Sequence, residues 1–582
     1  MQKNSHHSVP RGSVSPHNWP TCVLGRINVE TNIMSAKIPS ILKSAGTLLI
    51  SVLLTACGGG EETGTSSSTT PISNPITTPG TTPTTGPGVS STQQPRWTTP
   101  LLLETSNSQV ELFSNVPRYW LGISDSGDAT VAFIQADATG RRALQVTRGN
   151  SDTNWSEPTV IDAAAPIDVG DYPFSGSVSR PDVAVSPNGN AVVAWAHLTD
   201  CGTGSYLKNP ADPCSFVYAS RRLAGESNWE APIRVSDSPY GVWGPHRVKI
   251  NDRGDVAILF AHAEPTETTA RIDRPGVALR TATESAFRVE VLNDWPIAYG
   301  FATGPELHRL VILGLDETGH VNVTGQRGTD IVSYRGSVAS GFGSVQVAAE
   351  LESRAATASL FAVHTGSSGY IATLWLQDTA TTAGSVLLSV FSPTTQSWTP
   401  SAVPIDLTQY LSSGALTTAN SLSLFSTSKW ALRVTDDSAG HVLIYDRCTL
   451  TQWKAGAVIP KKNLPSLCGL HLSDNALFVF NQKGDYVGVN ASGYDGGWVS
   501  YNQSTNSMTH TMPANLAGVQ PQDYVLGTRT RIAGSFPTVM DVSNTGKAIL
   551  VTSNRYATLP SASGPIGDLH PSLYNLWGLF LH

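Results

Sequence analysis

The feature that most constrains this chain is a turn that keeps coming back. Ile123-Ser124-Asp125-Ser126-Gly127, Val185-Ser186-Pro187-Asn188-Gly189, Ile250-Asn251-Asp252-Arg253-Gly254 and Val542-Ser543-Asn544-Thr545-Gly546 each set Ser or Asn, two polar residues and a glycine between two apolar alternating runs. Period-2 alternation marks a strand, and a residue that tolerates positive φ lets two such strands form a hairpin. Weaker copies end at Gly319, Gly369, Gly440 and Gly484, so successive glycines stand 62, 65, 65, 50, 71, 44 and 62 residues apart. Unequal spacing suits loops of different length around a constant unit.

A second mark follows the hairpin at a distance in several of the units. Asn154-Trp155-Ser156-Glu157-Pro158, Asn228-Trp229-Glu230-Ala231-Pro232 and Ser397-Trp398-Thr399-Pro400 each open a further strand, and Trp453 and Trp498 read as degenerate copies. Between the two marks lies one more strand, as in Phe216-Val217-Tyr218-Ala219-Ser220. Four strands, A to D, repeated along the chain predict an all-β fold: a single β-propeller over 96–582, with eight blades, or seven if the units around Gly440 and Gly484 merge. Arg96 to Leu103 matches strand D with no blade before it, while the chain ends after Tyr574 to Leu581 without a WxxP strand. The N-terminal strand is therefore expected to close the last blade and leave no sheet edge free. The tryptophans are expected to pack between neighbouring blades.

Ahead of this region the chain changes character. From Met34 come Lys37 and Lys43, the apolar run 48–54, and Thr55-Ala56-Cys57-Gly58. A basic start, a short apolar stretch and small residues describe a signal peptide over 34–56, since the run is far short of the roughly 20 residues a membrane helix needs. Leu54-Thr55-Ala56-Cys57 resembles the lipobox of bacterial lipoproteins. That resemblance implies lipidation of Cys57 and, with Gly58 following, sorting to the outer membrane of a Gram-negative cell, facing the periplasm or the exterior. Residues 1–33 precede a complete signal and read as an extension from a misassigned start or an appended sequence. Residues 57–95 are the lipidated cysteine and a linker rich in Gly, Ser, Thr and Pro, a composition with too little apolar surface to fold.

Cysteine usage agrees with export. Cys201, Cys214, Cys448 and Cys468 remain after Cys22 and Cys57, and four cysteines allow three pairings. Two disulfides are expected in an oxidising compartment, the short pairings being Cys201 with Cys214 and Cys448 with Cys468. Metal ligation is the rival reading, but there is no CxxC and no histidine cluster beside them. No cofactor is expected, and no motif supports calcium. Only 14% of residues are charged, the net charge is -7, and no run of Lys or Arg stands out, so a nucleic-acid partner is not expected.

Long connections fall at the B–C and D–A positions, so that face is the candidate binding face of a chain expected to be monomeric. Eight residues after the repeat glycines stand Gln135, His197, His262, Arg327, Gln377, Cys448, Ser492 and Asn554; near the start of strand A stand Arg118, Arg180, His246 with Arg247, and His308 with Arg309. Of these, Arg118, Arg180, His197, His246, His262, Arg309 and Arg327 are the candidate ligand-binding residues, a partly cationic rim suited to carboxylate, sulfate or phosphate. Solvated strand ends, or arginines paired with nearby carboxylates, are the alternative.

The layout of 97–582, with Ser/Asn-x-x-Gly hairpins and WxxP strands behind a lipobox, resembles the sialidase-like propellers of exported bacterial proteins. The turns depart from the SxDxGxTW box of true sialidases, and Val116-Pro117-Arg118-Tyr119 stands where a FRIP segment would, so no catalytic residue carries over. The expected function is a binding module for a polysaccharide or an envelope partner; the alternative is a hydrolase or lyase acting on an anionic polysaccharide. Cys57→Ser is expected to abolish incorporation of an alkyne-bearing fatty acid and to move the protein from the membrane to the soluble fraction, which labelling followed by fractionation checks.

Overall fold

The computed structural model describes residues 98, 101–103, 110–111, 121–136, 142–153, 155–162, 178–199, 214–236, 243–264, 272–295, 311–327, 330–349, 357–378, 385–399, 403–405, 429–434, 440–446, 449–454, 457–463, 477–481, 486–489, 498–502, 507–511, 529–558 and 574–581. The chain divides into two units, Met1–Val89 and Ser90–His582, and every described residue belongs to the second. The signal, the lipobox and the linker up to Pro95 therefore lie outside the described residues.

The second unit is an all-β propeller built from antiparallel meanders; no helix occurs among the described residues. The first meander comprises Leu121–Ile123, Ala129–Ala136, Arg142–Gly149 and Thr159–Val160. The second runs Val178–Val185, Ala191–Thr199, Cys214–Arg222 and Ile233–Arg234. The third runs Trp243–Ile250, Val256–Glu264, Ile272–Arg280 and Arg288–Val291, and the fourth Val311–Leu315, His320–Arg327, Asp330–Ser337 and Gly341–Ala349. A fifth starts at Thr357–Thr365, and its outer edge is split between Ser397–Trp398 and Val403–Ile405. The segments around Gly440 and Gly484 form separate four-stranded sheets, from Lys429–Val434 to Ala457–Asn463 and from Leu477–Phe480 to Ser507–Thr511.

The last meander has three strands of its own, Arg529–Val542, Ala548–Thr558 and Tyr574–Leu581. Leu101 and Leu102 pair antiparallel with Gly578 and Trp577, and Thr98 N–H donates to the Phe580 carbonyl at 2.8 Å. Val110–Glu111 then pairs on one side with Tyr574 and on the other with Gln135 and Ile134, so the first and last meanders share one nine-stranded sheet. The first strands of successive meanders lie against one another, and Leu121–Ile123 lies against Arg529–Val542.

The turn motif explains itself at atomic level. The repeat glycines at 127, 189, 254, 319, 369 and 546 have φ between 83° and 99°, where a side chain is strained. The first turn residue does a second job: Ser124, Ser186, Asn251, Asp316 and Ser543 each accept, through a side-chain oxygen, the N–H four residues on. Short oxygen-bearing side chains are the ones that reach it.

The first five meanders each carry an aromatic side chain near the start of strand D, set against the preceding meander. Trp229 packs on Ile134, Leu144 and Ile161 of the first together with Val193 and Trp195 of the second. Trp398 packs on Ile331 and Ala348 of the fourth together with Trp375 and Phe391 of the fifth. Trp155 meets Ile549, Val551 and Phe580 of the last meander and stacks on Phe580 with centroids 5.0 Å apart. Phe287 and Phe342 take this role in the third and fourth meanders, where the WxxP mark is missing. Trp453 and Trp498, expected to open D strands, lie instead in third strands, Thr449–Lys454 and Trp498–Asn502. They keep the residue type but not the position.

A Cβ on Gly578 would come within 2.5 Å of Trp155 Cζ2. Trp155→Ala is expected to destabilise the fold by about 3 to 5 kcal/mol, and Gly578→Ala to destabilise it by overpacking the same seam. Urea unfolding followed by tryptophan fluorescence or circular dichroism checks both.

Candidate functional site

The two faces of the meanders differ in how they use polar groups. On the A–B turn face they join neighbouring turns. Asp125 N–H donates to the Pro187 carbonyl at 2.8 Å, Asn188 N–H to Asp252 Oδ1 at 2.8 Å, Asp252 N–H to Glu317 Oε2 at 2.7 Å, and Glu317 N–H to the Ser367 carbonyl at 3.1 Å. Asn481 Nδ2 donates to the Ser543 carbonyl, and Asn544 N–H to Asp125 Oδ1 at 2.8 Å. Beside this belt, Glu230 receives Arg221 Nη2 at 2.8 Å and Arg280 Nη1 at 2.6 Å, while Arg221 Nη1 reaches the Gly254 carbonyl of the next meander. Burial alone would raise the Glu230 carboxyl; the hydrogen bonds from Arg280 and Arg221 outweigh it and hold the group below its ordinary value.

On the opposite face, strands B end where the chain enters its longer connections. Asp162, just past strand D of the first meander, meets His197, at the end of strand B of the second, at 3.5 Å. Both side chains are 3% exposed or less. Burial pushes the His197 imidazole down, against the pull of Asp162. Tyr218 lies edge-on to the His197 ring. The same relation recurs two meanders on: Asp294, just past strand D of the third, meets Arg327, at the end of strand B of the fourth, at 2.8 Å.

That second seam is a small cluster. The Tyr334 hydroxyl donates to Asp294 Oδ1, and Arg327 Nη1 donates to Asp294 Oδ2. Trp295 stacks on Tyr334 with centroids 5.9 Å apart and donates through Nε1 to the Gln326 carbonyl. Burial first, then the hydrogen bond to Asp294 and its charge, push the Tyr334 hydroxyl up to about 12.

Of the rim residues named from sequence, His197 is buried, His262 is half-buried beside Phe260, and Arg327 is partly open and paired with Asp294. Gln135 is fully buried. Arg180 and His246 lie in the first strands of the second and third meanders, at irregularities that also hold Pro181 and Pro245. Arg118, Arg309, Cys201, Cys448 and Cys468 lie outside the described residues, and Cys214 opens the strand Cys214–Arg222. Asp162, Asp294 and Tyr334 are the residues that sequence reasoning missed. Among the described residues no group of three or more His, Cys, Asp or Glu is placed to hold a metal ion, and no helix is long and apolar enough to cross a membrane.

No protein-family model and no curated protein matches this chain. Solved structures similar to it include the polysaccharide lyase Uly1, at a TM-score of 0.36 and 11% identity over 84% of this chain and 98% of that one. The β-propeller domain of the Trilobed protease from Pyrococcus furiosus is similar at 0.34 and 8%, over 67% and 97%. The Hadza microbial sialidase Hz136 is similar at 0.28 and 13%, over 59% and 66%. The chain spans about half, 55%, of prolyl oligopeptidase B from Galerina marginata, at 0.35 and 11% identity over 79% of this chain. Such likenesses concern architecture, and no activity passes from them to this chain.

Seams are also bridged by side-chain acceptors on the first strands. Asp182 accepts Val248 N–H at 2.8 Å and Asp541 accepts Ile123 N–H at 3.2 Å, each from the neighbouring meander. Burial raises the Asp182 carboxyl to about 6 against the charge of Arg247. A carboxyl raised in this way holds its proton to higher pH in the fold than in the unfolded chain. Its contribution to stability is complete below pH 4 and is lost as the pH rises to about 6. Relative to the parent, Asp182→Asn is therefore expected to gain stability between pH 4 and 6, by about 3 kcal/mol at most, and urea midpoints measured across that range check it.

Proposed function

We propose that this chain is a lipid-anchored envelope protein whose eight-bladed propeller, closed by its N-terminal strand, binds a polysaccharide through the face carrying the long B–C and D–A connections. Cys57 would hold it to the outer membrane, and the pairs Cys201–Cys214 and Cys448–Cys468 would staple loops in an oxidising compartment. An envelope protein is the other partner this face would suit.

The observation that carries the reading is the open polar cluster at a strand B end, beside the long connections. The turn face joins its backbone and side-chain groups to one another, as in the Asp252–Glu317 and Asn544–Asp125 contacts. The opposite face carries charged side chains at strand ends, Arg327 and Asp294 among them, with 27% and 55% of their side-chain surface open. Polar groups on a rigid scaffold beside long connections are what a recognition face needs.

One observation favours a second reading, a hydrolase or lyase on an anionic polysaccharide. Carboxylate, phenol and guanidinium meet at Asp294, Tyr334 and Arg327, and these are group types that acid–base chemistry on a glycan uses. Tyr334 raised to about 12 keeps its proton at neutral pH, which suits a donor better than a base. A glycan array probed with the full-length protein, with reducing-end release measured on each glycan retained, separates the readings. Binding without release is expected; release establishes the second reading, and a blank array overturns both.

A further inference from the structure

We propose that the seam between the third and fourth meanders is a carboxylate-binding site whose donors are Arg327 and Tyr334, and that Asp294 occupies the ligand's place in it. The inference rests on the polysaccharide reading above and names the group recognised: the carboxylate of an acidic sugar.

The Asp294 carboxylate is held as a bound carboxylate would be. Each oxygen has its own donor, Oδ2 from Arg327 Nη1 at 2.8 Å and Oδ1 from the Tyr334 hydroxyl, with the two donors 3.5 Å apart. A planar two-oxygen anion fits such a pair, since a guanidinium and a neighbouring hydroxyl donate side by side.

The hydroxyl donor is held by packing, and the acceptor stands open to solvent. Tyr334 is 6% exposed, pinned by Trp295, itself 3% exposed and tied to the Gln326 carbonyl at 3.0 Å, one residue before Arg327. Asp294 follows the strand Arg288–Val291, and its side chain is 55% exposed. An ion pair this open contributes little to the fold, so an incoming carboxylate displaces it at small cost. The displaced site would leave the Tyr334 hydroxyl without an acceptor unless the ligand supplies one, which makes the exchange selective for acceptors. Arg274 donates to the carbonyl of Asn293, the residue before Asp294. Asp294 is thus a built-in competitor that sets the affinity.

The test is calorimetric titration of the full-length protein with polygalacturonate, with dextran sulfate and neutral dextran as parallel arms. Asp294→Ala is expected to bind polygalacturonate about tenfold tighter than the parent, and Asp294→Asn to fall between them. Adding Arg327→Gln or Tyr334→Phe to Asp294→Ala is expected to lose that gain, with neutral dextran bound by none. Tyr334→Phe keeps the ring that packs on Trp295, so it reports on the hydroxyl even if Arg327→Gln folds poorly. If Asp294→Ala binds no tighter than the parent, or the added substitutions leave affinity unchanged, the seam site is wrong while the wider reading of the face stands. Preference for dextran sulfate overturns the carboxylate assignment. Absence of binding to all three polymers by parent and variants overturns both the site and the polysaccharide reading.

Discussion

The structure depends on one packing relation: in each of the first five meanders, an aromatic side chain at the outer strand is laid on the neighbouring meander. A four-stranded sheet with two apolar faces cannot bury both alone, so its stability is inseparable from that of its neighbours. Trp229, Trp398, Phe287 and Phe342 satisfy this between consecutive repeats. For Trp155 the preceding meander is the last one, so the contact that joins neighbours elsewhere joins Trp155 to Phe580. The glycines at 149 and 578 leave the space it needs.

Polar groups follow from that arrangement. Short turns on one face bring successive loops close enough for backbone N–H groups to reach their neighbours' oxygens, and Asp252, Glu317 and Asp125 act there as acceptors in a belt. Glu230 between Arg221 and Arg280 adds a charged staple at the same level. On the other face, polar side chains meet across seams: Asp162 with His197 in a buried pair and Asp294 with Arg327 in an open one. The first pair is closed to solvent and the second is open to it.

Much of this was legible in local sequence. The Ser/Asn-x-x-Gly turn could be read because its chemistry is contained in five residues: Ser186 caps the turn that Gly189 reverses. The polar character of the strand B ends was legible too, at His197 and Arg327. Their partners were not, because Asp162 and Asp294 come from the previous repeat; each stands seven residues after the aromatic at the start of its strand D, Trp155 and Phe287, and Phe287 lacks the tryptophan that marks that position. Trp453 and Trp498 show the converse: residue identity suggested an outer strand, but the backbone places them in third strands. Phe287 and Phe342 fill the aromatic position without the tryptophan that would have flagged it.

By itself, the sequence determined the all-β class, the repeated meander and the location of its turns, since periodicity and positive φ are properties of neighbouring residues. It also supplied the lipobox-like segment at Cys57. Tertiary structure alone decided which strand pairs with Leu101–Leu102, which carboxylate meets which cation, and that Tyr334 and Arg327 share Asp294. Those relations join residues from different repeats, and only the packing of one sheet on the next brings them within hydrogen-bonding distance.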